Sequence, residues 1–172
     1  MTIKFIACVD ENYGLGYKQN LLYHIPQDLK RFKELTLGHF CCMGRKTYTS
    51  LPSSLPNRTN IVLTNNRNFN PQDKKVIVEH DIHKIINHYK SGSQSKDLFL
   101  IGGEVIFREF FPYCEVIELT KVKSKAPKCD TFFPYEYLKE FEITHIETHY
   151  SDKYQCEYDF ITYKRKEDVV GE

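Results

Sequence analysis

The chain has 172 residues, of which 41% are hydrophobic, and it carries 24 Lys and Arg against 23 Asp and Glu. This length predicts a single domain, residues 1–172, that buries about two-thirds of the surface of its unfolded chain. A net charge this close to zero argues against nucleic acid or an anionic membrane as a partner.

The sequence shows neither a membrane span nor a signal peptide. No apolar run approaches the ~18 residues of a membrane span. Residues 1–4 lead directly into a strand-like run rather than a signal peptide, so we expect a cytoplasmic protein. Residues 165–172 are expected to form a flexible tail.

The six cysteines and seven histidines suggest neither a disulfide framework nor a metal site. No Cys-x-x-Cys pair occurs, and Cys8 and Cys41 lie in apolar runs, which favours reduced, buried thiols. Two pairs of histidines are close in sequence: His80 with His83, and His145 with His149. No matching set of further ligands follows either pair, so we predict no bound metal.

Buried strands and amphipathic helices alternate along the chain. Strands are predicted over Ile3–Val9, His39–Met43, Thr59–Thr64, Lys75–Glu79, Leu98–Ile101, Val116–Lys121, Glu142–His149 and Tyr154–Lys164. Helices are predicted over Pro26–Thr36, from Arg45, over Asp81–Tyr89 and over Glu104–Phe111, and loops over 10–16 and 91–96. This order predicts an α/β fold, a three-layer sandwich in which about four helices flank a mainly parallel sheet of about eight strands with an antiparallel C-terminal strand.

Asp28 lies in the first turn of the helix that Pro26 opens, with Phe32 and Leu35 on the same face. A carboxylate on an apolar stripe is costly to bury, so a cationic group meets it or it lies at the mouth of a pocket. The same carboxylate could instead only complement the helix dipole, worth roughly 0.3–1 kcal/mol. The helix pattern alone leaves both interpretations open.

Two strand-to-helix junctions carry glycine at the turn, Met43-Gly44-Arg45-Lys46-Thr47 and Ile101-Gly102-Gly103-Glu104. In a parallel sheet such junctions line the carboxyl edge, where backbone amides can bind phosphate. Two of them on one edge predict a pyrophosphate that spans both, although neither completes a dinucleotide-binding fingerprint. Arg58, which precedes a buried strand, is either a surface charge or a clamp for a ligand carboxylate.

A series of short motifs occurs in a fixed order along nearly the whole chain. In sequence order they are Ile6-Ala7-Cys8, Leu15-Gly16, Pro26-x-Asp28-Leu29-x-x-Phe32, Met43-Gly44-Arg45-x-Thr47, Leu55-Pro56-x-Arg58-x-Asn60, Ile101-Gly102-Gly103, Thr120 and Asp130-Thr131-x-Phe133-Pro134. This order resembles the dihydrofolate reductase family, of the monofunctional bacterial or phage type. The resemblance implies a monomer that reduces 7,8-dihydrofolate to 5,6,7,8-tetrahydrofolate with NADPH, in support of one-carbon metabolism and of thymidylate and purine synthesis.

The resemblance also implies roles for individual residues. Asp28, Tyr23 and Leu21 would be catalytic, with Asp28 binding the pterin edge and Tyr23 donating through a water to the pterin carbonyl. The substrate would further contact Ile6, Ala7, Leu29, Phe32, Leu51, Leu55, Arg58, Ile101 and Thr120. The cofactor would contact Ala7, Cys8, Leu15, Gly16, Gly44, Arg45, Lys46, Thr47, Leu63, Thr64, Asn65, His80, Ile101, Gly102, Gly103, Glu104, Val105, Ile106 and Phe107. Residues 14–22 would close over the nicotinamide and exclude water.

Several residues depart from the family's usual pattern, among them Leu22 where a proline is usual and Asn57 where a glycine is common. Tyr23 stands where a tryptophan is usual, Phe107 where a tyrosine is frequent, and Glu104 where a third glycine is common. Two alternatives to the reductase remain open: the related reductase domain of riboflavin biosynthesis, and a folate- or dinucleotide-binding protein without turnover, such as a structural protein of a phage particle. Ligand binding without oxidation of NADPH would favour the second alternative.

Overall fold

The structure is a computed structural model that describes residues 2–90 and 95–167. Its strands are β1 Ile3–Val9, β2 Gly14–Tyr17, β3 Asn20–Leu21, β4 Phe40–Gly44, β5 Thr59–Leu63, β6 Ile77–Glu79, β7 Leu98–Gly102, β8 Val116–Val122, β9 Thr131–Phe132, β10 Phe141–Ser151 and β11 Cys156–Arg165. Its α-helices are α1 Pro26–Thr36, α2 Arg45–Ser50, α3 Ile82–Lys90 and α4 Glu104–Phe110, and short 3-10 helices span Phe111–Tyr113 and Tyr135–Glu140.

The main sheet has eight strands in the order β10-β11-β8-β1-β7-β4-β5-β6. The pairs among β8, β1, β7, β4, β5 and β6 are parallel, whereas β11 is antiparallel to both β8 and β10. The predicted α/β architecture with an antiparallel C-terminal strand is therefore confirmed. That strand lies inside the sheet, because β10 forms the edge beyond it.

The core lies on both faces of this sheet. On one face, Ile85 and Ile86 of α3 and Phe107 and Phe110 of α4 pack into a large buried cluster. The other face carries two smaller clusters, one of which includes Phe32 of α1 at its margin. Because buried side chains on the central strands point alternately to the two faces, the sheet is covered on both sides.

A second, three-stranded sheet joins β3, β2 and β9, which corrects the loop predicted over residues 10–16. The prediction took the two glycines as a sign of irregular structure. They instead allow close packing: a Cβ on Gly14 would lie 2.6 Å from Cys129 Sγ, and one on Gly16 would lie 2.6 Å from the carbonyl oxygen of Asn20. The tight turn between β2 and β3 holds Lys18 and Gln19 at positive φ, 48° and 66°.

Two other predictions concern segments that are only partly described. Residues 91–94 of the predicted loop and 168–172 of the predicted tail lie outside the described residues. Arg165, placed in the tail by the sequence, ends β11, and its Nε donates to the carbonyl oxygen of Cys114 at 2.7 Å. Within the described ranges, no helix is both long enough and apolar enough to cross a membrane.

Candidate active site

A cavity of about 1320 Å³ follows the carboxyl ends of β1, β4, β5 and β7. Its wall includes Leu21 and every residue predicted to contact substrate or cofactor, except Thr120. Ligands of open α/β sheets bind at this edge, where the loops that follow parallel strands meet. The fold thus brings together residues that are distant in sequence.

Asp28 enters the cavity from the first turn of α1, which Pro26 opens. Its Oδ1 accepts a hydrogen bond from Thr120 Oγ1 at 2.5 Å, which places Thr120 directly behind it. Burial raises the pKa of Asp28 above its usual value, and the hydrogen bond from Thr120 opposes that rise. The carboxyl group is therefore held partly out of water with its proton affinity increased.

A partly buried ion pair lies near Asp28. Arg31 Nη2 is 2.6 Å from Glu118 Oε2, and Thr162 Oγ1 donates to the same oxygen at 2.8 Å. The Arg31 guanidinium also lies 4.6 Å from the centre of the Phe160 ring. Its positive charge lowers the pKa of Asp28, although less than burial raises it.

Apolar side chains and two cations line the cavity beyond Asp28. Leu29, Phe32, Leu51 and Leu55 form the walls. Two hydrogen bonds hold the Arg58 side chain in place. Its Nε donates to the carbonyl oxygen of Pro56 at 2.9 Å, and its Nη1 donates to Thr36 Oγ1 at 3.3 Å. Lys33 lines the same region.

The two glycine turns are neighbours, as their shared sheet edge predicts. Strands β4 and β7 pair directly, with Met43 opposite Gly102. A Cβ on Gly44 would lie 3.5 Å from Ile106 Cγ1, and one on Gly103 would lie 3.8 Å from Thr47 Oγ1. The peptide between Gly102 and Gly103 is cis. The starts of α2 and α4 are thereby brought close together at the cavity.

Polar and cationic groups gather where β5 ends. Arg45, Lys46, Thr64, Asn65 and His80 all line this part of the cavity. His80 Nδ1 lies 2.6 Å from the carbonyl oxygen of Thr64, so it donates this hydrogen bond and leaves Nε2 as the other ring nitrogen. Asp81, which the sequence analysis did not assign, also lines the cavity and accepts from the His83 amide at 2.9 Å.

The small sheet covers the cavity on one side. Asp130 Oδ2 accepts from the Lys18 amide at 3.0 Å, and the Asp130 amide donates to the Gly16 carbonyl at 2.9 Å. Glu104 joins the same sheet to α4, because its Oε1 accepts from the Phe132 amide at 2.9 Å. Glu104 lies at the cavity wall as predicted, but its carboxylate is engaged in this structural contact and with Arg108 at 3.4 Å.

Tyr23 is the predicted catalytic residue that the fold does not place at the cavity wall. Its side chain is buried, with only 6% of its surface exposed. The centre of its ring lies 5.0 Å from the centre of the Tyr154 ring, in an edge-on contact. Burial raises the pKa of the phenol, and the neighbouring side chain of Ser124 opposes that rise. Leu21, by contrast, lies on β3 at the cavity and is 44% exposed.

Sequence reasoning missed several residues of the cavity wall. They are Lys33, Ser50, Asp81, Ile82, Glu109, Asp130 and Thr131, whereas Lys18, Gln19 and Asn20 belong to the segment 14–22 that the resemblance already placed over the nicotinamide. Lys33 could have been found, since it follows Phe32 on the cavity face of the helix, one turn beyond Leu29. Among residues 2–90 and 95–167, no group of three or more His, Cys, Asp or Glu is arranged to hold a metal.

A protein-family model described as dihydrofolate reductase matches residues 2–165 of the chain. The chain belongs to the dihydrofolate reductase family. Dihydrofolate reductase of Staphylococcus aureus is 33% identical over 144 residues, 83% of this chain and 84% of the relative. That of Staphylococcus haemolyticus is 31% identical over 166 residues, 96% of each chain.

A solved structure supports the same assignment. Dihydrofolate reductase from Enterococcus faecalis, complexed with NADP(H) and RAB-propyl, superimposes with a TM-score of 0.85 at 30% identity, covering 96% of this chain and 97% of that one. The predicted family, fold and enzyme class are therefore confirmed. Membership of the dihydrofolate reductase family also disfavours the riboflavin-pathway alternative.

Proposed function

We propose that this chain reduces 7,8-dihydrofolate to 5,6,7,8-tetrahydrofolate with NADPH, and that Asp28 is its central catalytic residue. The observation that carries the proposal is a half-buried carboxylate, bonded to Thr120 at 2.5 Å, beside the apolar walls of the cavity. An apolar cavity with a few converging polar groups fits a flat heteroaromatic ligand.

The reaction consumes one proton together with the hydride. NADPH, when bound, supplies the hydride to the carbon beside the imine nitrogen of the pterin. Asp28 accepts hydrogen bonds from the pterin's amidine-like edge and favours protonation of that nitrogen, because a buried carboxylate stabilises a neighbouring positive charge. The raised pKa of Asp28 places its titration closer to neutral pH, where such a group serves proton transfer best.

The groups at the far end of the cavity suit the cofactor's phosphates. Arg45 and Lys46 offer positive charge, while Thr47 and Thr64 offer hydroxyl donors. Gly44 and Gly103, which lack side chains, leave room for a close approach to the backbone where α2 and α4 begin. The residues present therefore fit a dinucleotide whose phosphates meet cationic and hydroxyl groups.

The small sheet would seal the reacting end of the cavity. Asp130 binds both Gly16 and the Lys18 amide, so it fixes β2 and the following turn over the wall that Cys8 and Leu15 form. A closed covering of this kind excludes water and strengthens the electrostatic contacts inside.

An absorbance assay tests the function directly. The purified chain is mixed with NADPH, with and without dihydrofolate, and the reduced nicotinamide is followed at pH 7. Oxidation that depends on dihydrofolate is expected. Binding of both ligands without oxidation would favour the non-enzymatic alternative and reject the proposal.

We expect NADPH to be preferred over NADH, mainly through KM, because the extra 2′-phosphate is remote from the reacting carbon. The reason is the set of Arg45, Lys46, Thr64 and His80 near the end of β5. Arg45→Ala should reduce the preference, and the reduction should be smaller at high salt, where the charge is screened. Steady-state kinetics with both cofactors measures this, and comparable kcat/KM values for the unmutated chain would contradict the assignment.

The role of Tyr23 stays a prediction. If its hydroxyl donates to a water near the pterin carbonyl, Tyr23→Phe should slow hydride transfer moderately while Tyr23→Trp should retain it, since both Tyr and Trp can donate. Single-turnover rates for the three proteins measure this. Equal rates for Tyr and Phe would show that the hydroxyl takes no part in hydride transfer.

We further propose that the enzyme acts as a monomer in the cytoplasm. In support of the first point, one chain supplies the entire cavity wall described above. In support of the second, all six cysteines are free thiols, as is usual in reducing compartments. Sedimentation of the purified chain at micromolar concentration tests the monomer.

A further inference from the structure

We propose that Glu104 is a positioning residue that links the cofactor site to the small sheet, because its carboxylate ties the start of α4 to β9. The sequence predicted only a cofactor contact for Glu104, at a position where a third glycine is common in the family. The inference rests on the proposed use of NADPH, since the linkage joins NADPH binding at the start of α4 to closure of the small sheet.

Both oxygens of the Glu104 carboxylate have partners. Oε1 accepts a hydrogen bond from the Phe132 amide at 2.9 Å, and Oε2 lies 3.4 Å from Arg108 Nε, one helical turn further along α4. Arg108 Nη1 in turn lies 2.7 Å from Glu136 Oε1. Phe132 belongs to β9, and Glu136 belongs to the 3-10 helix that comes after β9. The start of α4 thus holds the segment that contains β9 at two points.

A carboxylate at this position is unfavourable for phosphate binding unless its charge is compensated. Glu104 lines the cavity next to Gly103, where the cofactor's phosphates are proposed to bind. An uncompensated negative charge there would repel phosphate. Arg108 supplies the opposite charge, and the Phe132 amide engages the other oxygen. Since glycine could make neither contact, the bond to β9 gives the glutamate a role that its charge alone would not have.

Strand β9 connects Glu104 to the rest of the small sheet. The Phe132 amide donates to Glu104, and the next amide, that of Phe133, donates to the Tyr13 carbonyl oxygen at 2.8 Å. In the small sheet β9 pairs with β2, and β2 lines the cavity at Gly16. A continuous series of contacts therefore runs from the start of α4, through Glu104 and β9, to the strand that covers the nicotinamide end of the cavity.

NADPH binding at the start of α4 should therefore favour closure of the small sheet. Phosphates held at the first turn of α4 limit the motion of that turn, and with it the motion of the carboxylate that holds β9. Linkage is reciprocal, so an ordered small sheet strengthens NADPH binding by the same factor. Removing the Glu104 carboxylate should weaken NADPH binding by about three- to tenfold, which is typical for the loss of a single hydrogen bond.

Two substitutions at Glu104 separate this linkage from the effect of charge. Glu104→Ala removes both contacts, whereas Glu104→Gln loses the charge and keeps an oxygen that can accept from the Phe132 amide. If the carboxylate only repelled phosphate, both variants would bind NADPH more tightly. The linkage instead predicts weaker binding for Glu104→Ala alone. Glu136→Gln is the matched control, because it removes a charge from the same Arg108 and leaves the Phe132 bond in place.

Calorimetric titration with NADPH alone, in the absence of dihydrofolate, measures the affinity of the four proteins. We expect the Kd to rise for Glu104→Ala and to stay near the wild-type value for Glu104→Gln and Glu136→Gln. An unchanged or lower Kd for Glu104→Ala overturns the proposal. An equal rise for Glu136→Gln also overturns it, because the effect would then come from the ion pairs of Arg108 and not from the bond to β9.

Amide hydrogen exchange followed by NMR tests the linkage without turnover. The Asp130 amide donates to the Gly16 carbonyl oxygen at 2.9 Å, so it reports on the small sheet and takes no part in the Glu104 contact. NADPH should slow its exchange in wild type and Glu104→Gln, and slow it less in Glu104→Ala. Equal slowing in all three overturns the linkage and leaves the proposed function intact. A wild-type chain that binds NADPH but does not oxidise it with dihydrofolate rejects the proposed function, while the exchange rates still decide the linkage; a chain that does not bind NADPH rejects both.

Discussion

Asp28→Asn is expected to fold normally and to lose most of its reductase activity near neutral pH. An amide cannot accept two hydrogen bonds from the protonated edge of a pterin, and it has no negative charge to favour the added proton. Loss of a group that acts in proton transfer typically costs on the order of 10²–10⁴ in rate. Single-turnover hydride transfer at pH 7 measures the effect.

The pH dependence of this variant carries further information. The loss should shrink at low pH, because the substrate can then be protonated from solvent. Asp73→Asn, which changes an exposed carboxylate that does not line the cavity, serves as the control. Near-normal turnover of Asp28→Asn at pH 7 would remove Asp28 from the mechanism.

The same variant should be more stable than wild type at pH 7. Because burial raises the pKa of Asp28 in the folded chain, unfolding releases a proton, and wild-type stability falls as pH rises from the usual carboxyl value towards the folded one. Below pH ~4, Asp28 is protonated in both the folded and the unfolded chain, so it no longer lowers the stability of the wild type. Thermal unfolding of both proteins at pH 7 and below pH ~4 measures the difference in stability. Asp28→Asn should raise Tm only at pH 7.

Most of the fold could be predicted because the apolar residues of the long strands and helices recur at the spacing of a strand or a helix, and these residues are buried in the structure. Ile3–Val9 matches β1 to the residue, and Pro26–Thr36 matches α1. The small sheet was missed because β3 and β9 have two residues each, which is too short for any alternation to show. Its strands form through contacts between distant segments, such as the bond between Asp130 and Lys18.

The cavity was predicted through motif order, and its errors have a common physical origin. A side chain's direction depends on packing that one sequence does not specify. Tyr23 was assigned to the cavity, yet its ring lies against Tyr154. Cys8 lines the cavity as predicted, and strand register places it opposite Thr120. Lys33 went unassigned because the helix was interpreted as an apolar stripe.

Arg58→Leu is expected to raise the KM for dihydrofolate far more than it lowers kcat. In our proposal Arg58 holds the α-carboxylate of the substrate's glutamate, a contact made equally in the ground and transition states. A charge-assisted bidentate contact is worth on the order of 2–3 kcal/mol, which corresponds to tens- to hundred-fold in affinity. Leucine should keep the apolar packing near Phe32, whose ring centre lies 5.9 Å from the guanidinium.

The structure explains why this arginine is suited to the role and how to test it. Its bonds to Pro56 and Thr36 fix the guanidinium before substrate arrives, which reduces the entropy lost on binding. Thr36 keeps a partner in the variant, because its hydroxyl also donates to the Phe32 carbonyl at 2.7 Å. Arg67→Leu, at an exposed position, is the matched control in steady-state kinetics. If Arg58→Leu leaves KM unchanged while Lys33→Ala raises it, the carboxylate is held by Lys33 and the clamp has been assigned to the wrong cation.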